Sequence, residues 1–180
     1  RNPKLASLSG LDNLLTVNSI SIDNNSALKD VLSFNRLTRI QYLFIESNSS
    51  LSNLAGFENL DSISSAFWIR YNANLIKISG FDTLKYVSSL YIANNPALKT
   101  IDGFQNLQHI RSLLLRNTAL TNLSGFKNLT KVKDNLSIQS NTRLSSLMGL
   151  SNLDSVGWLH ISQCLSLKSL PLLIRNGFAN

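Results

Sequence analysis

Apolar residues recur along this chain in a fixed pattern of short steps. Between positions 95 and 116 they lie at Leu98, Ile101, Phe104, Leu107, Ile110, Leu113 and Leu115. The step is three residues several times in succession, and then two. A step of two is typical of a strand with one buried face, and a step of three fits 3₁₀ or extended turns. Because a long amphipathic α-helix would mix steps of three and four, the pattern predicts a short strand followed by a loosely wound return segment.

The same pattern repeats along the chain. The segment NNPALKTIDGFQNLQHI (94–110) resembles both SNSSLSNLAGFENLDSI (47–63) and SNTRLSSLMGLSNLDSV (140–156). The predicted repeats begin at Asn2, Asn25, Asn48, Asn72, Asn95, Asn117, Asn141 and Cys164, in steps of 22 to 24 residues. One repeat cannot bury its own apolar side, but repeats stacked in parallel enclose a continuous core. We therefore expect a single domain over 1–180, either as a complete array or as a piece of a longer one.

These repeats resemble a known family. The residues VNSISIDNN (17–25) and VGWLHISQC (156–164) match the leucine-rich repeat L-x-x-L-x-L-x-x-N/C. The triplet spacing is similar to bacterial internalin-type repeats, and the GF-x-NL style is similar to receptor L-domain repeats. The resemblance implies an α/β-type right-handed coil of about seven to eight repeats. It places a parallel β-sheet on the concave face and 3₁₀ or irregular segments on the convex face.

The resemblance also implies a structural role for the asparagine that starts each repeat. In the family these side chains form a buried ladder between turns, and Cys164 would occupy one of its positions. A buried amide needs partners, and asparagine both donates and accepts. The resemblance further implies an extracellular or cell-surface setting, as in secreted or adhesive bacterial proteins.

Several departures from the pattern carry their own expectations. The steps Ile63 to Phe67 and Val132 to Leu136 contain one extra residue, so we expect bulges there. The repeat that begins at Asn95 is one residue short. Glycine recurs at positions 10, 56, 80, 103, 125 and 149, where a positive φ or close packing is expected. After Leu170 the pattern fades into PLLIRNGFAN, which is either a cap or the cut end of a longer array.

One aligned position of the repeat is predicted to form a core stack, here called the phenylalanine spine. A cofactor box is the alternative interpretation, but the period favours a core. The spine comprises Leu11, Phe34, Phe57, Phe81, Phe104, Phe126 and Leu150.

Composition and charge exclude several classes of protein. Apolar residues make up 43% and charged residues 15% of the chain, which argues against disorder. No apolar run approaches the roughly 18 residues of a membrane span, and no signal peptide is visible. The net charge is +7, but the basic residues are dispersed. Only Lys127, Lys131 and Lys133 cluster, on a predicted return segment, so we expect no nucleic-acid partner.

No set of residues predicts an enzyme. Cys164 has no histidine at a suitable position in the pattern to form a catalytic pair. Because it is the single cysteine, an intramolecular disulfide is excluded. His109 and His160 lie two repeats apart and on different predicted faces, so they predict neither a metal site nor a catalytic pair. We expect no cofactor and no metal. Glycosylation sequons occur at Asn24, Asn48, Asn122, Asn128 and Asn135, but such matches arise readily in an Asn- and Ser-rich chain.

The outward positions of the strands are the main functional candidates. The middle residues of successive strands are Ser21, Phe44, Trp68, Tyr91, Leu114, Ser137 and His160. Four consecutive members are large and apolar or aromatic, and a border of charged and polar residues is predicted beside them. The candidate ligand-binding residues are Tyr42, Phe44, Glu46, Trp68, Arg70, Tyr91, Leu114, Arg116, Trp158 and His160.

The outward row of the strands has two interpretations. Aromatic neighbours can simply stabilise an exposed sheet, but a contiguous apolar patch with a polar rim more often marks an interaction site. The second interpretation predicts a noncatalytic module that binds a protein or peptide. A glycan ligand and self-association, as a structural or adhesion segment, stay open as alternatives.

Overall fold

Residues 1–169, which the computed structural model describes, form a parallel-strand β-solenoid of about six turns. The main sheet contains eight strands. Seven follow one another across the sheet: β1 (Ser19–Asp23), β3 (Tyr42–Glu46), β5 (Ser62–Arg70), β7 (Tyr86–Asn95), β9 (His109–Thr118), β10 (Lys131–Gln139) and β11 (Ser155–Ser162). The eighth, β2 (Arg39–Ile40), pairs with β5. The expected parallel sheet is confirmed.

The return segments contain little regular structure. Three two-residue strands, β4 (Asn53–Leu54), β6 (Lys77–Ile78) and β8 (Thr100–Ile101), form a second parallel sheet. Two 3₁₀ helices cover Ser124–Phe126 and Met148–Leu150. Among residues 1–169, no helix has the length and hydropathy of a membrane span. The segment after Leu170, predicted to be a cap or a cut end, lies outside the described residues.

The core lies between the main sheet and the return segments. The expected phenylalanine spine is present: the ring centroids of neighbouring turns lie 5.2 to 5.6 Å apart from Phe34 to Phe126. Leu150 continues the spine and is fully buried. Leu11 does not, because its side chain is 42% exposed and a described turn covers it from one side only. The core prediction is thus confirmed except at Leu11.

Buried asparagines join the turns through a side-chain ladder. Asn72 illustrates the repeating contact: its Nδ2 donates to the carbonyl of Ile45 (2.9 Å), and its Oδ1 accepts from the backbone N–H of Asn48 (3.0 Å). Asn25, Asn48, Asn95 and Asn141 take equivalent places, and all are buried. At Cys164, Sγ lies 3.8 Å from the carbonyl of Ile138. This contact corresponds to the one that asparagine Nδ2 makes with a carbonyl of the preceding turn elsewhere in the ladder.

The prediction for Asn117 is wrong, because Thr118 occupies that place in the ladder. The backbone N–H and the hydroxyl of Thr118 both donate to Oδ1 of Asn141, at 3.0 and 2.6 Å. Asn117 is exposed and has a φ of 51°. It belongs to a column of residues with positive φ, one near the end of each of the seven successive strands: Asn24, Ser47, Tyr71, Asn94, Asn117, Ser140 and Gln163. The repeat that begins at Asn95 is therefore 23 residues long and not one residue short.

The two expected bulges are confirmed. The pairing of β5 with β7 shifts between Ile63 and Ala66, and β10 shifts between Val132 and Asn135 against both neighbours. Both expected roles of glycine also occur. Gly56 has a φ of +95°, and a Cβ on Gly149 would lie 1.7 Å from the carbonyl oxygen of Leu123.

Candidate binding surface

The outward row of the main sheet is arranged as the sequence predicts. In the strand pairing, Phe44 stands opposite Trp68, Trp68 opposite Tyr91 and Tyr91 opposite Leu114. We call these four residues the aromatic strip. Each strip side chain is half-buried, whereas the core residues that flank it along its strand are buried. The alternation follows from the two-residue period of a strand, which sends neighbouring side chains to opposite faces.

The rings of the strip contact one another directly. The centroids of Phe44 and Trp68 lie 4.8 Å apart at 49°, and those of Trp68 and Tyr91 lie 6.0 Å apart at 14°. Tyr42 extends the strip sideways, 5.8 Å from Phe44. These separations fall within the range of favourable aromatic pairs. The strip is therefore one continuous surface, with each ring partly covered by its neighbours.

Trp68 is the most constrained member of the strip. The guanidinium carbon of Arg70 lies 4.2 Å from the Trp68 ring centroid. The indole Nε1 is buried and has no hydrogen-bond acceptor within the described residues. The indole N–H can only donate a hydrogen bond. Its burial removes it from water and gives it no protein acceptor in this part of the chain, which costs free energy. Trp68 is thus held by packing and by Arg70.

A polar border runs beside the strip. Nη2 of Arg70 donates to both carboxylate oxygens of Glu46, at 2.9 and 3.1 Å. Arg116 is exposed and makes no ion pair in the part of the chain that the structure describes. At the other end, Asp23 accepts hydrogen bonds from Asn24 and Ser21, which lower the pKa of its carboxyl. The border is therefore acidic at β1, neutralised in the middle and basic at β9.

The remaining two candidates form a separate pair on β11. The rings of Trp158 and His160 stack, with centroids 5.3 Å apart, and Trp158 is 52% exposed. His160 continues the outward row, but Ser137 separates it from Leu114. Two strand spacings of about 4.8 Å lie between them. The structure thus gathers eight of the predicted residues around the strip and leaves Trp158 and His160 apart.

One surface was missed by sequence reasoning. Tyr86, His109, Ile110, Arg111, Lys131 and Lys133 line a cleft at the starts of β7, β9 and β10, which we call the basic cleft. Lys131 and Lys133 were expected on a return segment, but both lie in β10. The missed signal was the alignment of Tyr86, His109 and Lys131 one repeat apart, which the strand pairing makes direct neighbours.

Metal-binding geometry is lacking in the described residues, among which no three His, Cys, Asp or Glu side chains come close enough to share an ion. His109 starts β9, whereas His160 lies in the outward row of β11.

Comparison of the chain with protein-family models, with curated proteins and with solved structures finds no match in any of the three.

Proposed function

We propose that the chain is a noncatalytic recognition module that binds a protein or peptide ligand across the aromatic strip. The observation that carries this proposal is the contiguous, outward-facing set of Phe44, Trp68 and Tyr91 beside a polar border. Contiguous apolar patches with a polar rim mark interaction sites. Tyrosine, tryptophan and arginine are also the residue types most enriched at binding hot spots.

Preorganisation supports the proposal. The strip sits on strands whose pairing fixes its backbone, and ring contacts together with Arg70 restrict its side chains. Ordering flexible groups on binding costs roughly 0.5–1.5 kcal/mol for each side chain. Because these side chains are already ordered, little of that cost remains for a ligand to offset.

The dimensions of the strip suit an extended peptide. Three strand spacings of about 4.8 Å give a strip roughly 14 Å long. An extended chain advances about 3.3 Å per residue, so four or five residues span it. Arg70 is neutralised by Glu46, whereas Arg116 is not paired within residues 1–169. We infer a mainly apolar segment with an acidic residue positioned near Arg116.

The class of solenoid and its setting belong to the same proposal. The repeat pattern, the buried asparagine ladder and the parallel sheet support a leucine-rich-repeat solenoid of seven to eight repeats. With that class goes an extracellular or cell-surface location, in which such modules recognise or adhere to partners.

Peptide selection tests the proposal. Random peptides displayed on phage are selected on the wild-type chain, and the dissociation constants of the enriched peptides are measured for Trp68→Ala/Tyr91→Ala. We expect a loss of affinity of about tenfold or more. The control Leu32→Ala/Ile76→Ala removes two exposed apolar side chains outside the strip and should bind within about twofold of wild type. Circular dichroism and thermal unfolding establish that both variants are folded.

Three outcomes would overturn the proposal. Unchanged peptide affinity in the Trp68/Tyr91 variant would show that the strip is not the site. Strip-dependent binding on a glycan array, with no enriched peptide, would favour the glycan alternative. A sedimentation coefficient that rises with concentration in the wild type, and not in that variant, would assign the strip to self-association.

A further inference from the structure

The basic cleft lies away from the aromatic strip, at the other end of the long strands. On β7, Tyr86 lines the cleft and Tyr91 belongs to the strip. The two positions are five residue steps apart along β7, which corresponds to roughly 16 Å at the rise of a strand. A ligand that fills the cleft is therefore independent of one that covers only the strip.

Charge in the cleft is unbalanced. Nε of Arg111 donates to the carboxylate of Asp134, and this hydrogen bond raises the pKa of the guanidinium. Lys131 and Lys133 make no ion pair with any described residue. Three cations thus face one carboxylate, so the cleft attracts an anion.

The positive charge of the cleft is confined to a short stretch of the sheet. Along the row of strand starts, Ser62 is paired with Tyr86 on one side, and Ser155 is paired with Lys131 on the other. The basic residues therefore occupy two neighbouring strands, β9 and β10, and do not form a stripe along the solenoid. Nucleic acids require a continuous track of positive charge, whereas a single anionic group needs only this local cluster.

The cleft is small, and its exposed wall is mainly apolar. Its volume is about 220 Å³, below the roughly 300–1,000 Å³ of sites for drug-sized ligands. The side chain of Ile110 is buried beneath it, and Tyr86 is 45% exposed at its edge. Such a space admits one ring or side chain, and an aromatic ring can pair with Tyr86.

We propose that the basic cleft binds an aromatic ring that carries an anionic ester, either phosphate or sulfate. The ring packs against Tyr86 and Ile110. The anionic oxygens accept charge-assisted hydrogen bonds from Lys131 and Lys133, and Arg111 adds a third positive charge.

Amide NMR titration of the ¹⁵N-labelled full chain tests this site. The probes are phenyl phosphate, phenyl sulfate, inorganic phosphate and phenol. We expect saturable shifts at Tyr86, Ile110 and Arg111 with both esters, and affinities weaker by about tenfold or more for inorganic phosphate and phenol. Separate titrations with the two esters distinguish phosphate from sulfate as the preferred group.

Matched variants separate the cleft from the general positive charge of the chain. Lys131→Gln/Lys133→Gln should weaken phenyl phosphate binding by about tenfold. Lys99→Gln/Lys127→Gln removes the same charge outside the cleft. Its affinity for phenyl phosphate should stay within about twofold of wild type. Trp68→Ala/Tyr91→Ala should also leave it unchanged, which keeps this test separate from that of the strip.

Each contrary result would overturn the proposal. Absence of saturable shifts would exclude the site. If inorganic phosphate binds as tightly as phenyl phosphate, the ring makes no contribution to the affinity. Equal losses in the two lysine variants would show a general charge effect. A single-stranded DNA decamer that displaces phenyl phosphate at low concentration would assign the cleft to nucleic acid.

Discussion

Arg70 lies over the ring of Trp68, with its guanidinium carbon 4.2 Å from the ring centroid. The same guanidinium holds both carboxylate oxygens of Glu46 through Nη2. Ring, cation and carboxylate are therefore linked across two neighbouring strands, β3 and β5. The orientation of Trp68 depends on a contact made by the polar border.

Removing the charge of Arg70 should weaken the fold and release Trp68. Arg70→Met keeps the apolar stem but loses the cation–π contact and the ion pair, so we expect a free energy of unfolding lower by about 1 kcal/mol. Arg39→Met, which breaks the more exposed pair with Asp61, should cost less than about 0.5 kcal/mol. Urea unfolding measures both free energies, and the fluorescence of Trp68 in Arg70→Met should shift to the red. Equal costs in the two variants would contradict the coupling.

The asparagine ladder should dominate the stability of the turns. Asn72→Ala leaves the carbonyl of Ile45 and the backbone N–H of Asn48 without their buried partner. Two such groups cost about 2–5 kcal/mol. Asn128→Ala removes one exposed bond to the carbonyl of Gln105 and should cost about 1 kcal/mol or less. Chemical denaturation compares the two, and similar losses would refute a special role for the ladder.

The exchange of Asn117 for Thr118 in the ladder gives a third prediction. Thr118→Val keeps the shape but removes the hydroxyl that donates to Asn141, so we expect a loss of about 1–2 kcal/mol. Asn117→Gly preserves the positive φ and should change stability by about 0.5 kcal/mol or less. If Asn117→Gly proves the more damaging variant, the ladder assignment is wrong.

Close approach of the backbones should make one glycine indispensable. A Cβ on Gly125 would lie 2.1 Å from the carbonyl oxygen of Ile101, whereas a Cβ on Gly103 meets nothing nearer than 3.1 Å. Gly125→Ala must therefore separate two turns, and we expect it to cost about 3 kcal/mol or more, against about 1 kcal/mol for Gly103→Ala. Thermal unfolding of the pair measures the difference, and matching midpoints would argue against this contact.

The acidic end of the polar border should stay ionised to unusually low pH. Hydrogen bonds from Asn24 and Ser21 lower the pKa of Asp23 from its ordinary value of 3.8. Because the folded pKa is the lower one, this contribution to stability is present above pH 3.8 and is lost as the pH falls through the folded value. Asn24→Gly, which suits the positive φ there, should raise the pKa in an NMR titration. A pKa unchanged by this substitution would show that Asn24 is not the cause.

The sequence predicts most of the fold because its apolar steps are regular. The two-residue step places Phe67 and Ile69 inside and Trp68 outside, even across the bulge after Ile63. Asn117 misleads because asparagine suits both a ladder position and a left-handed backbone, and only the hydrogen bonds to Asn141 distinguish these roles.

The basic cleft could not be found in the same way. It depends on where the long strands begin, and thus on Tyr86, His109 and Lys131 being aligned before the bulge of β10. Lys131 and Lys133 cluster in the sequence with Lys127 alone, whereas their neighbours in the cleft, Tyr86, His109 and Arg111, come from earlier turns. The outward row needed no such information, because each of its members repeats at the same place in the pattern.

The direction of the hydrogen bonds has a mechanical consequence. Bonds of the main sheet and of the asparagine ladder run along the axis of the solenoid, and each joins a turn to the next. A force that pulls the two ends apart meets these bonds one turn at a time and never shears the whole sheet together. Each released turn of 23 residues adds about 80 Å of extended chain. Under tension the protein therefore unfolds stepwise, one turn at a time, and lengthens in nearly equal increments.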